Sequence, residues 1–296
     1  MKIVIATPFI PPQNGVLATY AQGLARAFEK RGDTVEIVAF SAFRNFPPLI
    51  RHLLFFYRVY SKTTDAALVL TLDTWSSGVP ALIAARTRGI PCVARIGGDF
   101  VWETFVERTK EAVLLSEFYE QSRSLSLKER IIRAGTEWFL RNTIPFFTTR
   151  FQREIWHRAY GVSLESPIVE NYFPPSVGTY LPASGLVFVC AGRNIGLKNV
   201  SQLQKAFQRL SEAHPGISLD TRLLPPEEHG KRLAQAYAVV VSSFSEVCSN
   251  TAIDAVSLGK PFICPKDTGT GERLGECGLF VDTRSEVALT QAFESL

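Results

Sequence analysis

Short apolar runs alternate with amphipathic stretches along nearly the whole chain, and this alternation admits few architectures other than parallel α/β. Ile3 to Ala6 reads as a buried strand, followed by the loop Pro8 to Gly15 and by an amphipathic helix from about Thr19 to Lys30 that Gly32 terminates. Thr34 to Phe40 supplies the next strand. A strand, a helix and a second strand within the first forty residues make the crossover that parallel pairing requires.

The pattern then continues. Strands are expected at Ala66 to Leu72 and Pro91 to Ile96, with a helix Ser77 to Arg88 between them and a long helical stretch running through Glu137 and Arg141. A short strand Pro145 to Thr149, a helix Gln152 to Tyr160 and a strand Ser166 to Glu170 complete the first half. Tyr172 to Gly185, with Pro174, Pro175, Gly178 and Pro182, has the composition of an interdomain connection. Beyond it come strands at Leu186 to Ala191, Ile217 to Leu224 and Val239 to Ser243, and helices at Val200 to Ala213, His229 to Ala238 and Asn250 to Leu258. Two Rossmann-like domains, 1–180 and 181–296, are therefore expected, and 296 residues exceed what one hydrophobic core usually organises. No internal sequence repeat is visible.

Composition narrows the class. With 46% hydrophobic and 20% charged residues the chain is globular, and a net charge of +4 spread along it gives no basic run of the kind that binds nucleic acid. Five widely spaced cysteines, Cys92, Cys190, Cys248, Cys264 and Cys277, form no C-x-x-C pair, so neither a zinc site nor a disulfide scaffold is expected. The N-terminal apolar run is too short for a signal peptide or a membrane span, which predicts a cytoplasmic protein. Phe46 to Lys62 mixes Leu, Ile, Phe and Tyr with Arg51, Arg58 and Lys62. A helix of that kind is usually buried in a core; the other reading places it peripherally at the inner face of a membrane.

Ligands of open α/β sheets bind outside the carboxyl ends of strands, which directs attention to the loops after Ala191 and Ser243. The first reads Gly192-Arg193-Asn194-Ile195-Gly196-Leu197-Lys198-Asn199. An Arg fork and a Lys point charge beside a flexible backbone suit a diphosphate; the plainer reading is a solvated basic loop. The second, Ser242-Ser243-Phe244-Ser245-Glu246-Val247-Cys248-Ser249-Asn250-Thr251, runs into a helix carrying Asp254. Ser249, Asn250 or Thr251 would cap that helix, and its free N–H groups would meet an anion. Glu246 and Asp254 can accept hydrogen bonds from sugar hydroxyls, although spacing alone equally allows a solvated Glu246 and an ion-paired Asp254.

Taken together these residues resemble the GT-B glycosyltransferases, in particular the retaining group called glycosyltransferase family 4. The similarity lies in the Pro-rich, Gly-containing loop after the first strand, in Val169-Glu170-Asn171, in Gly192-Arg193 with Lys198-Asn199, and in an E-x7-E element. Here that element runs from Glu246 to Asp254, with Asp for the family's usual second Glu. The resemblance implies two Rossmann-like domains facing a cleft, an N-terminal acceptor domain and a C-terminal donor domain, and this chain departs from the family in that its C-terminal domain is shortened. It implies that Glu246 contacts the transferred sugar, Asp254 the ribose, and Arg193 with Lys198 the diphosphate, while Ser249, Asn250 and Thr251 offer backbone donors. Asn14 and Gly15 would line the cleft, and Asp99, after Gly97-Gly98, is the candidate for steering or deprotonating the acceptor hydroxyl. The implied reaction moves a sugar from a nucleotide-sugar co-substrate to a glycan or lipid-linked acceptor, with retention and with no metal or other cofactor.

Two other classes compete. A nicotinamide-dependent dehydrogenase would carry G-x-G-x-x-G after its first strand, and this chain does not; Gly269-Thr270-Gly271 stands in a different context. A regulatory protein that binds a nucleotide or sugar without turnover would share the fold, and Asp254 and the short second domain are compatible with it.

Overall fold

The computed structural model describes residues 1–10, 16–173, 183, 185–190, 192 and 195–296. The first half runs β1 (Lys2–Thr7), α1 (Val16–Lys30), β2 (Thr34–Ala39), α2 (Pro48–Lys62), β3 (Leu68–Thr71), α3 (Gly78–Thr87), β4 (Cys92–Arg95), α4 (Phe100–Thr109), α5 (Leu115–Phe118), α6 (Leu127–Arg141), β5 (Ile144–Phe146) and α7 (Arg150–Tyr160). The second runs β6 (Leu186–Cys190), α8 (Val200–Ala213), β7 (Ile217–Asp220), α9 (Pro226–Gln235), β8 (Ala238–Val240), α10 (Asn250–Ser257), β9 (Phe262–Pro265), α11 (Gly271–Leu274), β10 (Leu279–Val281) and α12 (Glu286–Glu294). Short 3-10 turns stand at Phe40–Phe43 and Gly196–Lys198.

All described strand pairs are parallel, in two five-stranded sheets ordered β2-β1-β3-β4-β5 and β10-β9-β8-β6-β7. Each sheet places its second strand outside its first and its third, fourth and fifth on the other side. One topology is thus used twice, although no repeat shows in the residues. Burial explains the strand chemistry: Ile3, Val4, Ile5 and Ala6 are wholly inaccessible, as helices on both faces of a parallel sheet demand.

The chain divides into two compact units. The first comprises Met1–Val101, Ser124–Thr148 and Trp156–Val169; the second comprises Trp102–Arg123, Thr149–Ile155 and Glu170–Leu296. The second unit therefore takes in two segments from the chain's first half. The connection expected at 172–185, and with it the boundary at 180/181, falls largely outside the described residues. Within the second unit the period-2 alternation of strands sorts side chains into two layers. Phe188, Cys190, Ala238, Val240 and Ile263 pack beneath α8 and α12 with Leu203, Phe207, Leu289 and Phe293. Val189, Val239, Val241, Phe262 and Cys264 face the opposite way, against Leu233 of α9 and Ala252, Ile253 and Ala255 of α10.

Several expectations need correction. The long helical stretch before Arg141 is three helices, and α6 starts afresh at a capping box in which Ser126 and Glu129 satisfy each other's backbone amides. The segment expected as a strand at 166–170 contributes one bridging pair, Phe147 with Ile168. Strand β9 escaped notice because its apolar run is short and bounded by Pro261 and Pro265. Helix α2 buries Phe55 and Val59 but leaves Phe46, Leu49, Ile50, Leu53 and Tyr57 exposed on and just before it, so core packing accounts for only one of its faces. Among the described residues no helix is long and apolar enough to cross a membrane.

Phe188 centres the α8/α12 layer, with the rings of Phe207, Tyr237 and Phe293 at 5.7, 5.4 and 5.0 Å. Phe188→Ala is expected to cost about 3–5 kcal/mol, read as a lowered urea midpoint and as lost amide protection across β6 to β8.

Candidate functional site

Strand β6 lies between β7 and β8, yet the connections on its two sides use different faces of the sheet. Helix α8, which links β6 to β7, belongs to the Phe188 layer, whereas α9 and α10, before and after β8, belong to the Val239 layer. The connections of β6 and β8 thus leave for opposite faces of the sheet, the kind of switch point at whose strand carboxyl ends open α/β sheets bind ligands. Those connections begin with the loops carrying Lys198 and Glu246.

Neighbouring backbone fixes both loops. In the first, Asn199 adopts left-handed backbone, φ 51°, and its Nδ2 donates to the Thr283 carbonyl at 2.7 Å. Ser242 Oγ donates to the Lys198 carbonyl at 2.6 Å, and the Phe244 amide donates to the Leu197 carbonyl at 3.0 Å. So held, Lys198 Nζ reaches Glu246 Oε1 at 2.5 Å, and Ser243 Oγ donates to the same oxygen at 2.7 Å. The pair is half-buried, with 24% and 18% of the two side chains exposed, so neither charge is fully screened by water.

Glu246 is held from its other side by the loop after β9. Its amide donates to the Asp267 carbonyl and its carbonyl accepts from the Gly269 amide, at 3.1 and 3.2 Å. Gly269 has to be glycine: a Cβ there would stand 2.5 Å from the Val247 carbonyl oxygen and 2.4 Å from Thr149 Oγ1. This is the physical use of the Gly269-Thr270-Gly271 sequence.

Helix α10 starts at Ser249, whose Oγ accepts from the Ala252 amide at 3.2 Å and whose own amide donates to Thr270 Oγ1 at 2.9 Å. Ser249 is thus spent on building the turn. The Asn250 and Thr251 amides are the ones that open the helix, where first-turn N–H groups lack intrahelical acceptors and the helix dipole favours an anion. Asn171 Nδ2 donates to Asn250 Oδ1 at 3.0 Å and orients that side chain. Asp254 sits one turn further along, on the Asn250 side of the helix. Burial pushes its carboxyl above the usual carboxylate range.

The second unit thus brings Lys198, Glu246, Ser249, Asn250, Thr251 and Asp254 onto two adjoining loops and the helix that follows. Asn14, Gly15 and Arg193 lie outside the described residues. Asp99 belongs to the first unit, is buried, and accepts from the Val101 amide at 3.0 Å at the start of α4. Asp73, the other strand-end carboxylate of that unit, accepts from the amides of Ser77 and Gly78 at the start of α3. Among the described residues no group of three or more His, Cys, Asp or Glu is placed to hold a metal ion. Sequence reasoning missed Thr270, Asp267 and, above all, Glu107, whose carboxylate accepts from the Leu197 amide at 3.0 Å across ninety positions of chain.

No protein-family model and no curated protein matches the sequence. Solved structures do match the fold. Sucrose-phosphate synthase from Thermosynechococcus elongatus superposes with a TM-score of 0.71 at 15% identity, covering 99% of this chain and 88% of that one. The catalytic domain of starch synthase IV from Arabidopsis thaliana, bound to ADP and acarbose, gives 0.67 at 12%, over 99% and 91%. UDP-GlcNAc 2-epimerase from Methanocaldococcus jannaschii, in complex with UDP-GlcNAc and UDP, gives 0.58 at 12%, over 100% and 92%. The two parallel five-stranded sheets are those of the two-domain GT-B fold.

The raised Asp254 carboxyl has a consequence for stability. The unfolded chain releases this proton at lower pH than the folded chain does, so Asp254 lowers stability as pH rises from the ordinary carboxylate value through its raised one. Asp254→Asn is expected to melt above the wild type at pH 7, with the difference vanishing as the pH falls below the carboxylate range; thermal melts across pH 3 to 8 check the sign.

Proposed function

We propose that the chain is a glycosyltransferase that moves a sugar from a nucleotide-sugar donor to a hydroxyl acceptor, with the donor on the loops after β6 and β8. The observation that carries this reading is the Lys198–Glu246 contact at the point where those loops diverge, beside the first turn of α10. In the structure the two charges neutralise each other. A diphosphate competes for Lys198 and for the Asn250 and Thr251 amides, and Glu246 is then released to accept hydrogen bonds from the sugar hydroxyls. As the sugar–phosphate bond breaks, charge grows on the departing diphosphate, where the fixed Lys198 ammonium and the positive end of α10 stabilise it most. Arg193 would add a bidentate contact to the same group, and Asp254 would accept from the ribose hydroxyls. Asp99 is proposed to steer the acceptor hydroxyl. Fold neighbours holding ADP with acarbose, and UDP-GlcNAc with UDP, support a nucleotide sugar as ligand.

Retention and independence of metal belong to the proposal and rest on the family resemblance. An inverted product anomer by NMR would overturn the first, and activity abolished by EDTA and restored by a divalent cation would overturn the second. Because an epimerase shares the fold and Asp254 replaces the expected Glu, a nucleotide-sugar binder or epimerase is the second reading. It is favoured if donor is bound but neither hydrolysed nor transferred.

Calorimetry with UDP, GDP and ADP is the direct test. One nucleotide is expected to bind selectively, and Lys198→Ala is expected to weaken it roughly tenfold to a hundredfold, the worth of about 1.5–3 kcal/mol for a charged hydrogen bond. Glu246→Ala should leave nucleoside diphosphate binding nearly intact while removing transfer. Binding by none of the three would sink the donor-site assignment.

The acceptor is proposed to be a glycan or a lipid-linked precursor reached at a membrane surface. Leu49, Ile50, Leu53 and Tyr57 recur at helical spacing on the solvent side of α2, with Phe46 exposed just before the helix, and Leu49 is 87% exposed. Arg44, Arg51 and Arg58 flank them, and no Asp or Glu occurs between Glu36 and Asp65. Apolar side chains among cations suit the interface of an anionic bilayer. Co-sedimentation is expected with phosphatidylglycerol vesicles and not with phosphatidylcholine vesicles, and the double variant Leu49→Ser/Leu53→Ser should bind at least about tenfold more weakly. Equal binding by wild type and variant would remove this surface from the proposal.

A further inference from the structure

The segment Trp102–Arg123 crosses the carboxyl edge of the second sheet as a strap. Glu107 meets the loop after β6, accepting from the Leu197 amide at 3.0 Å. The Leu115 amide donates to Ser245 Oγ in the loop after β8 at 2.8 Å. The Ser116 amide donates to Asp267 Oδ2 in the loop after β9 at 3.3 Å, and Ser245 Oγ donates to the same oxygen. Glu117 pairs with Arg284 in the loop after β10 at 3.5 Å. Along the strap the anchors follow the spatial order of the strands, β6, β8, β9 and β10. Its own packing keeps it rigid: Trp102 Nε1 donates to the Val113 carbonyl at 2.9 Å, and the rings of Phe105 and Phe118 stand 5.2 Å apart.

Resting on the donor-site reading above, we propose that Glu107 is a positioning residue that sets the Gly196–Lys198 turn for the donor diphosphate. The loop after β8 holds this turn by its carbonyls, those of Leu197 and Lys198. Glu107 holds it by its amides. Partial burial would raise the Glu107 carboxyl, but the Leu197 amide, Lys110 and the Gly196 amide outweigh it and keep the group below the ordinary range. It is therefore an anion at neutral pH, and an anion accepting from backbone N–H makes the stronger class of hydrogen bond. With amides and carbonyls both held, the turn has one conformation, and that conformation sends Lys198 Nζ to Glu246. Without Glu107 the turn can pivot about its carbonyl bonds, and the ammonium loses its fixed place.

The test is a double-mutant cycle on the affinity for whichever of UDP, GDP and ADP the wild type binds. Glu107→Ala is expected to weaken binding about tenfold, equivalent to about 1.4 kcal/mol. Glu107→Gln, whose carbonyl oxygen can accept from the same amides, should recover most of that loss. In a Lys198→Ala background Glu107→Ala should cost less than about twofold, because residues acting through one another do not add. A purely structural role would lower the melting temperature and leave the two losses additive. Glu107→Asp keeps the charge but shortens the reach, and it should bind at an intermediate level; it decides the matter if the alanine variant does not fold. Full additivity with Lys198→Ala, or wild-type affinity in Glu107→Ala or Glu107→Asp, overturns the positioning role alone. A wild type that binds none of the three nucleotides overturns the donor-site reading and this role with it.

Discussion

Right-handed crossover is the constraint from which the rest of the second unit follows. Strand β6 feeds α8 on one face of the sheet, and after β7 the chain returns along the other face through α9 to β8. Covering both faces of a parallel sheet with the fewest connections forces this reversal, and at the reversal the connections of β6 and β8 leave for opposite faces. A switch point there is a product of topology and needs no special sequence. What the sequence supplies is its furniture: a cation, a carboxylate, a helix start and a glycine through which the third loop can approach.

Much of this was legible in the residues. Apolar runs bounded by Gly, Pro and small polar residues marked most strands, because strands covered on both faces have no polar side to show. The loops after β6 and β8 stood out because Arg193, Lys198 and Glu246 occur just where strands end. Local signals also narrowed the N-cap to Ser249, Asn250 or Thr251, of which the structure uses Ser249, since an N-cap is a property of a few consecutive residues. Other features are set by contacts that no window of sequence contains. The break between α4 and α6 depends on a strap seated on distant loops, and Glu107 looks like any solvated helix carboxylate until Leu197 comes to meet it. The face of α2 left exposed was open to two readings for a different reason. Hydrophobicity reports that a side chain avoids water, and it does not say which neighbour will relieve it.

Electrostatics separates two carboxylates of the candidate site. Glu246 has Lys198 and Ser243 as close partners, so its charge is matched within the protein. Asp254 is pushed upward by burial, the signature of a carboxyl kept in poorly solvated surroundings. Stability on its own would be served by replacing such a group, and residues that cost stability without a local return concentrate at functional places.

The strap also bears on how the molecule is made. A chain leaves the ribosome in order, so Trp102–Arg123 is synthesised well before the loops it will seat upon, Gly196 to Arg284, exist. The first sheet can close early, but the strap between α4 and α6 must then wait, with Trp102, Phe105 and Phe118 lacking their final surroundings, until the second sheet forms. Contacts so distant in sequence slow the last step of folding, since the intervening chain must be ordered before they are rewarded. The same threading means that the two units are not beads on a string: the polypeptide passes from one to the other more than once, and a single cut between residues 180 and 181 would leave the second sheet's covering on the wrong fragment.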